Sequence, residues 1–201
     1  MVKTIRRCAW CGDDPLYVRY HDEEWGVPTF DRDALFELLM LESLQAGLSW
    51  ITVLRKRRHL RAAMFGFCPE LVARMGQTDF DRLVADSGVI RHRGKLESIA
   101  NNARCFLELD RDGEAVASLW SHVGGKPVVN RWRTAGKIPA VDDGAVAMSR
   151  ALKRAGFRFV GPTICYAFMQ AAGMVNDHLV SCFRYRACQL PETRRVLVVA
   201  P

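Results

Sequence analysis

Residues Ser149–Ala171 read SRALKRAGFRFVGPTICYAFMQA. Two apolar-periodic stretches flank a six-residue interruption. Gly156 and Gly161 bracket Phe157-Arg158-Phe159-Val160, and Pro162-Thr163 opens the second stretch as a helix start. The segment therefore predicts helix, short hairpin, helix. Glycine lets a backbone approach a partner closely, and the free N–H groups of a helix start suit a phosphate. Lys153, Arg154 and Arg158 add positive charge. A plain αα-hairpin and a grip on a nucleic-acid backbone both fit this pattern.

Outward from this segment, the chain reads helical in both directions. Upstream, Asp142 or Asp143 caps the first helix of the pair, and 124–141 (GGKPVVNRWRTAGKIPAV) is the clearest loop, with three Gly and two Pro. Helices are expected over 94–109, from a capping-box-like start at Thr78-Asp79-Phe80-Asp81 to near Gly88, briefly after Pro69, and from Trp50 to about Phe65. The helix from Trp50, capped by Ser49, should expose the basic run Arg55-Lys56-Arg57-Arg58 with Arg61. Before it, 31–46 (DRDALFELLMLESLQA) is apolar nearly all round, as a buried helix is, and Gly47 stops it. Downstream, a last helix is expected to carry His178 and Cys182. There is no repeat and no strand pair, so the expected class is all-α. One helical domain is expected over 1–190, with room for two lobes around a cleft, and a disordered tail over 191–201.

The 201 residues suffice for one sizeable core. At 49% hydrophobic and 25% charged, the composition is that of a globular chain and excludes a disordered or collagen-like one. No apolar run approaches the ~20 residues that span a bilayer, and the N-terminus lacks the apolar stretch of a signal peptide, so a cytoplasmic protein without membrane contact is expected. The net charge of +7 suits a polyanionic partner. Seven cysteines in such a chain point to thiols or a metal site rather than disulfides.

Three groups of residues carry chemistry. His178 and Cys182 are four apart, and Cys8, Cys11 and His21 lie near the other end. Two thiolates and two imidazoles make a tetrahedral zinc set, although spacing alone does not choose between Cys8 and Cys11. Glu42 falls on one helical stripe with Leu35, Leu38 and Leu39. A carboxylate there loses hydration, which marks either a functional group or a structural ion pair. Trp10, Tyr17, Tyr20, Trp25 and Trp50 are dense enough to form either core or a stacking pocket for a flat or cationic ligand.

Taken together, these motifs resemble a known family. Cys8-x-Trp10, Asp14-Pro15-Leu16-Tyr17-x-x-Tyr20-His21-Asp22-x-Glu24-Trp25-Gly26-Val27-Pro28 and Leu41-Glu42-x-x-Gln45-Ala46-Gly47-Leu48-Ser49-Trp50 are similar to segments of 3-methyladenine DNA glycosylase I. So are Gly88-x-Ile90-Arg91-His92-Arg93-Gly94-Lys95, Gly156-Phe157-x-Phe159-Val160-Gly161 and Asn176-Asp177-His178. The resemblance spans roughly 6–186. It implies a helix-hairpin-helix glycosylase with one structural zinc per chain held by Cys8, His21, His178 and Cys182, joining the two chain ends and leaving Cys11 free. It also implies excision of 3-methyladenine from alkylated double-stranded DNA, with free base and an abasic site as products. Trp50 and Tyr20 would stack on the extruded base, Trp10 and Tyr17 would line its pocket, and Glu42 would accept a hydrogen bond from its edge. Leu48 would plug the gap in the duplex, while Gly156, Gly161 and Thr163 hold phosphates. Thr163 stands where lyase members of the wider superfamily carry Lys, which implies a monofunctional enzyme. Asp177 reads as a structural acceptor, and a monomer is expected. Two rivals remain: a non-catalytic zinc-stabilised module for damaged DNA, and a zinc hydrolase using Cys8 or Cys11 with His21.

Overall fold

In the computed structural model, residues 5–189 are described, and the tail expected over 191–201 lies outside them. Helix α1 (Pro15–Glu23) begins at Asp14, whose carboxylate accepts the N–H groups of Leu16 and Tyr17, with Pro15 at the first helical position. Sequence reading missed this short helix, although Asp-Pro is a start signal for one. Asp31 caps α2 (Arg32–Gln45), in which every residue from Leu35 to Leu44 is buried. That all-round burial is what its all-round apolarity predicts. The helix ends in a tight turn at Gly47, whose φ of 78° lies in the left-handed region that glycine enters at little cost.

Helix α3 (Trp50–Ala63) starts after Ser49, whose hydroxyl pairs with the Thr52 hydroxyl (2.8 Å) instead of capping the backbone. Its basic run is exposed at Arg55, Arg58 and Arg61, as expected, but much of it is paired. Arg57 is half-buried and binds Glu24 and Glu37, Arg61 binds Glu37, and Arg55 binds Asp14, so α3 is tied to the elements before it. Helices α4 (Pro69–Val72) and α5 (Gln77–Ala85) follow, the latter with the Asp79 carboxylate accepting the Gly76 N–H. Then come α6 (Arg93–Leu109) and α7 (Ala115–Ser121), which was also not foreseen. Helices α8 (Asp143–Arg154), capped by Asp142, and α9 (Pro162–Ala171) form the expected pair.

The helical class holds, and two finer expectations fail. One short strand pair exists. Val128–Val129 (β1) and Val175–Asn176 (β2) pair in parallel, with Val128 opposite Val175 and Val129 opposite Asn176. Two-residue strands are too short to show a period of two in sequence. No helix carries His178 and Cys182 either: the chain runs extended out of β2, turns, and enters α10 (Arg184–Ala187) only after Cys182.

Helix α2 is the central element and packs against α3, α6, α7 and α9. Phe36, Phe106 and Phe168 are fully buried in one continuous core, with the Phe36 and Phe106 rings 5.0 Å apart. Each such side chain contributes about 1.5–3 kcal/mol through burial. This core fixes the exposed ends of α2, α3 and α9 around a cavity. Among the described residues no helix is long and apolar enough to cross a membrane.

Candidate active site and Cys/His cluster

The cavity is about 320 Å³, within the range of small-molecule sites. Trp10, Tyr17, Tyr20 and Trp25 form one wall, Glu42 and Gln45 come from α2 and Trp50 from α3, and Ala167 and Gln170 come from α9. Ala135 and Ile138, from the 124–141 loop, complete it. The rings hold one another at angles: Trp10 and Trp25 are 4.9 Å apart at 70°, and Tyr20 and Trp50 are 5.4 Å apart at 48°. Interlocked aromatic edges make a rigid wall that leaves ring faces for a flat guest.

Glu42 is 3% exposed, and its Oε2 has no hydrogen-bond partner. Burial pushes its carboxyl up to about 8. The ion-pair alternative belongs to Glu37, one and a half turns earlier, which holds Arg57 and Arg61. Buried polar groups normally find partners, so an orphan acceptor in an aromatic cavity points to a missing ligand. The indole Nε1 atoms of Trp10 and Trp50 are orphaned too. Burial, then Glu42, hold the Tyr20 hydroxyl protonated well above its usual range.

The turn after α2, between the cavity-lining Gln45 and Trp50, carries Leu48, 40% exposed, with its N–H bonded to the Gln45 carbonyl (2.6 Å). Lys95, from the first turn of α6, is buried and donates to the carbonyls of Leu44 (2.9 Å) and Ala46 (2.5 Å). These carbonyls belong to a helix end that lacks intrahelical donors. Lys95 therefore fixes the turn that carries Leu48. Sequence reading gave Lys95 no such role.

The hairpin is a separate feature. Gly156 has a φ of 91°, whereas Gly161 has an ordinary φ of −64° and nothing within 4 Å of where a Cβ would sit. Its value is open space for close approach. Asn101 donates to the Gly156 carbonyl, and Asn102 both donates to the Arg158 carbonyl and accepts the Arg158 N–H. Ser149 donates to the Val160 carbonyl. The loop is thus clamped from α6 and α8 while Phe159 and Thr163 face solvent. Lys153, Arg154 and Arg158 are exposed around it and make no ion pair.

Behind the aromatic wall, Cys8, His21, His178 and Cys182 bring one ligand atom each within 4.8 Å of one another, all buried. Cys182 Sγ lies 3.4 Å from His21 Nε2 and 3.6 Å from His178 Nδ1. The other ring nitrogens are engaged: His21 Nδ1 meets Asp22 (2.7 Å), itself held by Arg7, and His178 Nε2 meets the Trp25 carbonyl (3.0 Å). Such outer bonds fix the tautomers and aim the free nitrogens at a metal. Against burial, hydrogen bonds from Arg7 and His21 hold the Asp22 carboxyl below its usual value. Cys11 turns its Sγ to the Cys8 carbonyl (3.1 Å) and stays outside the group. The four donors can hold one metal ion. His178 and Cys182 meet through an extended loop rather than one helix face. Trp25 lies against His178 (4.6 Å) on one side and the cavity on the other.

Residues 10–185 match the family model described as methyladenine glycosylase. The chain is 52% identical over 182 residues to DNA-3-methyladenine glycosylase 1 of Escherichia coli, covering 90% of this chain and 97% of the relative. A crystal structure of 3-methyladenine DNA glycosylase I is similar, with a TM-score of 0.87 and 49% identity, covering 89% of this chain and 98% of that one. So is the Staphylococcus aureus enzyme, whose structure concerns 3-methyladenine recognition; it has a TM-score of 0.85 and 42% identity, covering 88% and 94%.

Proposed function

The chain belongs to the methyladenine glycosylase family, and from that premise we propose that it excises 3-methyladenine from alkylated DNA by hydrolysing the N-glycosidic bond. One observation carries this reading: an unpartnered buried carboxylate, Glu42, inside an aromatic cavity of single-base size. An enzyme acting on a base in duplex DNA must take it out of the stack, and such a pocket receives it.

Trp50 and Tyr20 stack on the extruded base, Trp10 and Tyr17 line its pocket, and Glu42 accepts from its edge. The methylated nucleoside is a cation, so ring faces and a carboxylate select it over normal adenine. In the chemical step, water oxygen bonds to the sugar carbon as the carbon–nitrogen bond breaks. The bonding pair stays with the base, which leaves neutral, and the water gives up a proton. Because the leaving group already carries the positive charge, recognition and electrostatic help suffice without a strong general acid. Leu48 occupies the emptied place in the duplex. The hairpin holds phosphates through Gly156, Gly161 and Thr163, in a helix-hairpin-helix arrangement. Thr163 offers no amine for a Schiff base, and Asp177, which accepts four hydrogen bonds, is a structural acceptor, so the enzyme is monofunctional.

Cys8, His21, His178 and Cys182 suit a structural zinc: two thiols and two correctly oriented imidazoles form a closed set. A zinc ion held by Cys8, His21, His178 and Cys182 would tie these two distant stretches of chain together in a structural role, with no part in the hydrolysis. The one helical domain expected over 1–190 is supported, for the described residues 5–189, by a single continuous core. The test is to incubate the protein with methylated duplex DNA and identify released bases. Free 3-methyladenine with a matching count of abasic sites is expected. Tight DNA binding with no released base would leave a binding module instead.

A further inference from the structure

Asp177 is fully buried, and its carboxylate meets four donors. Oδ1 accepts from Asn130 Nδ2 (2.7 Å) and Trp132 Nε1 (2.6 Å), and Oδ2 accepts from Tyr166 Oη (2.7 Å) and Gln170 Nε2 (2.8 Å). A carboxylate has about four lone-pair directions, and all are taken. This settles the orientation of the Gln170 amide, because only its nitrogen can serve Asp177. The remaining polar edge of Gln170 is its carbonyl oxygen, which has no hydrogen-bond partner among the described residues. Gln170 also lines the cavity, on α9, which packs against the α2 that carries Glu42.

Among the polar groups of the cavity, the Glu42 carboxyl and the Gln170 carbonyl are thus both acceptors without protein partners among the described residues. A 6-amino purine offers an exocyclic amino group with two N–H bonds, whereas a 6-oxo purine presents a carbonyl oxygen there. Two acceptors facing an amino group each gain a hydrogen bond; facing an oxygen, they are desolvated and unpaired. Asn130 and Trp132 also tie the 124–141 loop to Asp177, and Ala135 and Ile138 of that loop wall the same cavity. One buried carboxylate therefore aims the amide and seats the wall beside it.

We infer that Gln170, with its amide locked by Asp177, is a specificity residue that accepts a hydrogen bond from the 6-amino group of the extruded base and rejects 6-oxo purines such as 3-methylguanine. This rests on the proposed reading of the cavity as the 3-methyladenine pocket. The experiment is calorimetric titration of free 3-methyladenine and free 3-methylguanine into the wild type and Gln170→Leu, with melting curves alongside. Gln170→Met replaces Gln170→Leu if the latter fails to fold. Loss of one neutral hydrogen bond should weaken 3-methyladenine binding about three- to tenfold. Binding of 3-methylguanine should hold or improve, so the ratio of the two affinities falls. Asp177→Asn frees the amide to turn its NH2 to the cavity and should lower the ratio further. A ratio equal to wild type in a folded Gln170 variant, including an equal loss for both bases, overturns the inference. A wild-type protein that binds no 3-methyladenine overturns the reading beneath it.

Discussion

Glu37 and Glu42 lie five residues apart on α2, both buried, and their surroundings separate their roles. Glu37 has two arginines; Glu42 has none, and burial raises it to about 8. A carboxyl whose folded value exceeds its ordinary one favours the fold at low pH. That contribution is complete below about 4.5 and is lost as pH rises through about 8. By pH 7, where the folded carboxyl is still mostly protonated and the unfolded one is ionised, that loss is on the order of 3 kcal/mol. We expect Glu42→Gln to melt higher than wild type at pH 7–8 and to flatten this decline. The same substitution should weaken binding of 3-methyladenine roughly 10- to 150-fold, with abasic-duplex affinity little changed. Excision lost by many orders of magnitude with base affinity intact would make Glu42 a chemical catalyst instead. Glu42 was legible because a carboxylate on the Leu35, Leu38 and Leu39 stripe breaks an apolar pattern. Gln170 was not, because a polar residue closing an apolar helix resembles an ordinary helix end. Only the fold shows that Asp177 orients it.

At the scale of elements, strong local signals held and weak ones failed. The hairpin was readable because Gly156, Gly161 and Pro162 punctuate it, and the buried α2 because its apolarity is continuous. The helix expected through His178 and Cys182 rested on a spacing of four, which an extended loop with a turn satisfies equally well. The exposed basic run expected of α3 is present at Arg55, Arg58 and Arg61, but its ion pairs were not legible, because a sequence does not say which carboxylates will meet its arginines. For the hairpin, Gly161→Asp is an informative substitution. Gly161 is the N-cap of α9 with open space around it, and aspartate is a good N-cap, so the fold should be kept or slightly stabilised. The added charge opposes a phosphate. We expect wild-type affinity for an abasic duplex to fall steeply with salt, and the variant to bind more weakly at every salt concentration with a shallower slope. Equal affinities, or no salt dependence, would remove the hairpin from the DNA contact. Free-base binding should be the same in both proteins.

Across the whole molecule, the Cys/His cluster brings together residues 161 (His21 and Cys182) and 170 (Cys8 and His178) positions apart in sequence. Spacing left Cys8 and Cys11 undecided; the fold separates them by turning Cys11 to a backbone carbonyl. We expect one zinc per chain by elemental analysis, lost in Cys182→Ala and retained in Cys11→Ala, and a lower melting temperature under chelation, since metal bound only by the folded form stabilises it. Full zinc in Cys182→Ala would refute the assignment. The long reach of this closure also sets an order of manufacture. As the chain emerges from the ribosome, Trp10, Tyr17 and Tyr20 are made well over a hundred residues before Asp177, His178 and Cys182. Distant contacts of this kind form late and slowly. A chain halted short of residue 178 therefore holds every residue that lines the cavity, but not the His178 and Cys182 that sit behind its aromatic wall. On the proposed reading, that wall is pinned only when these two distant stretches meet.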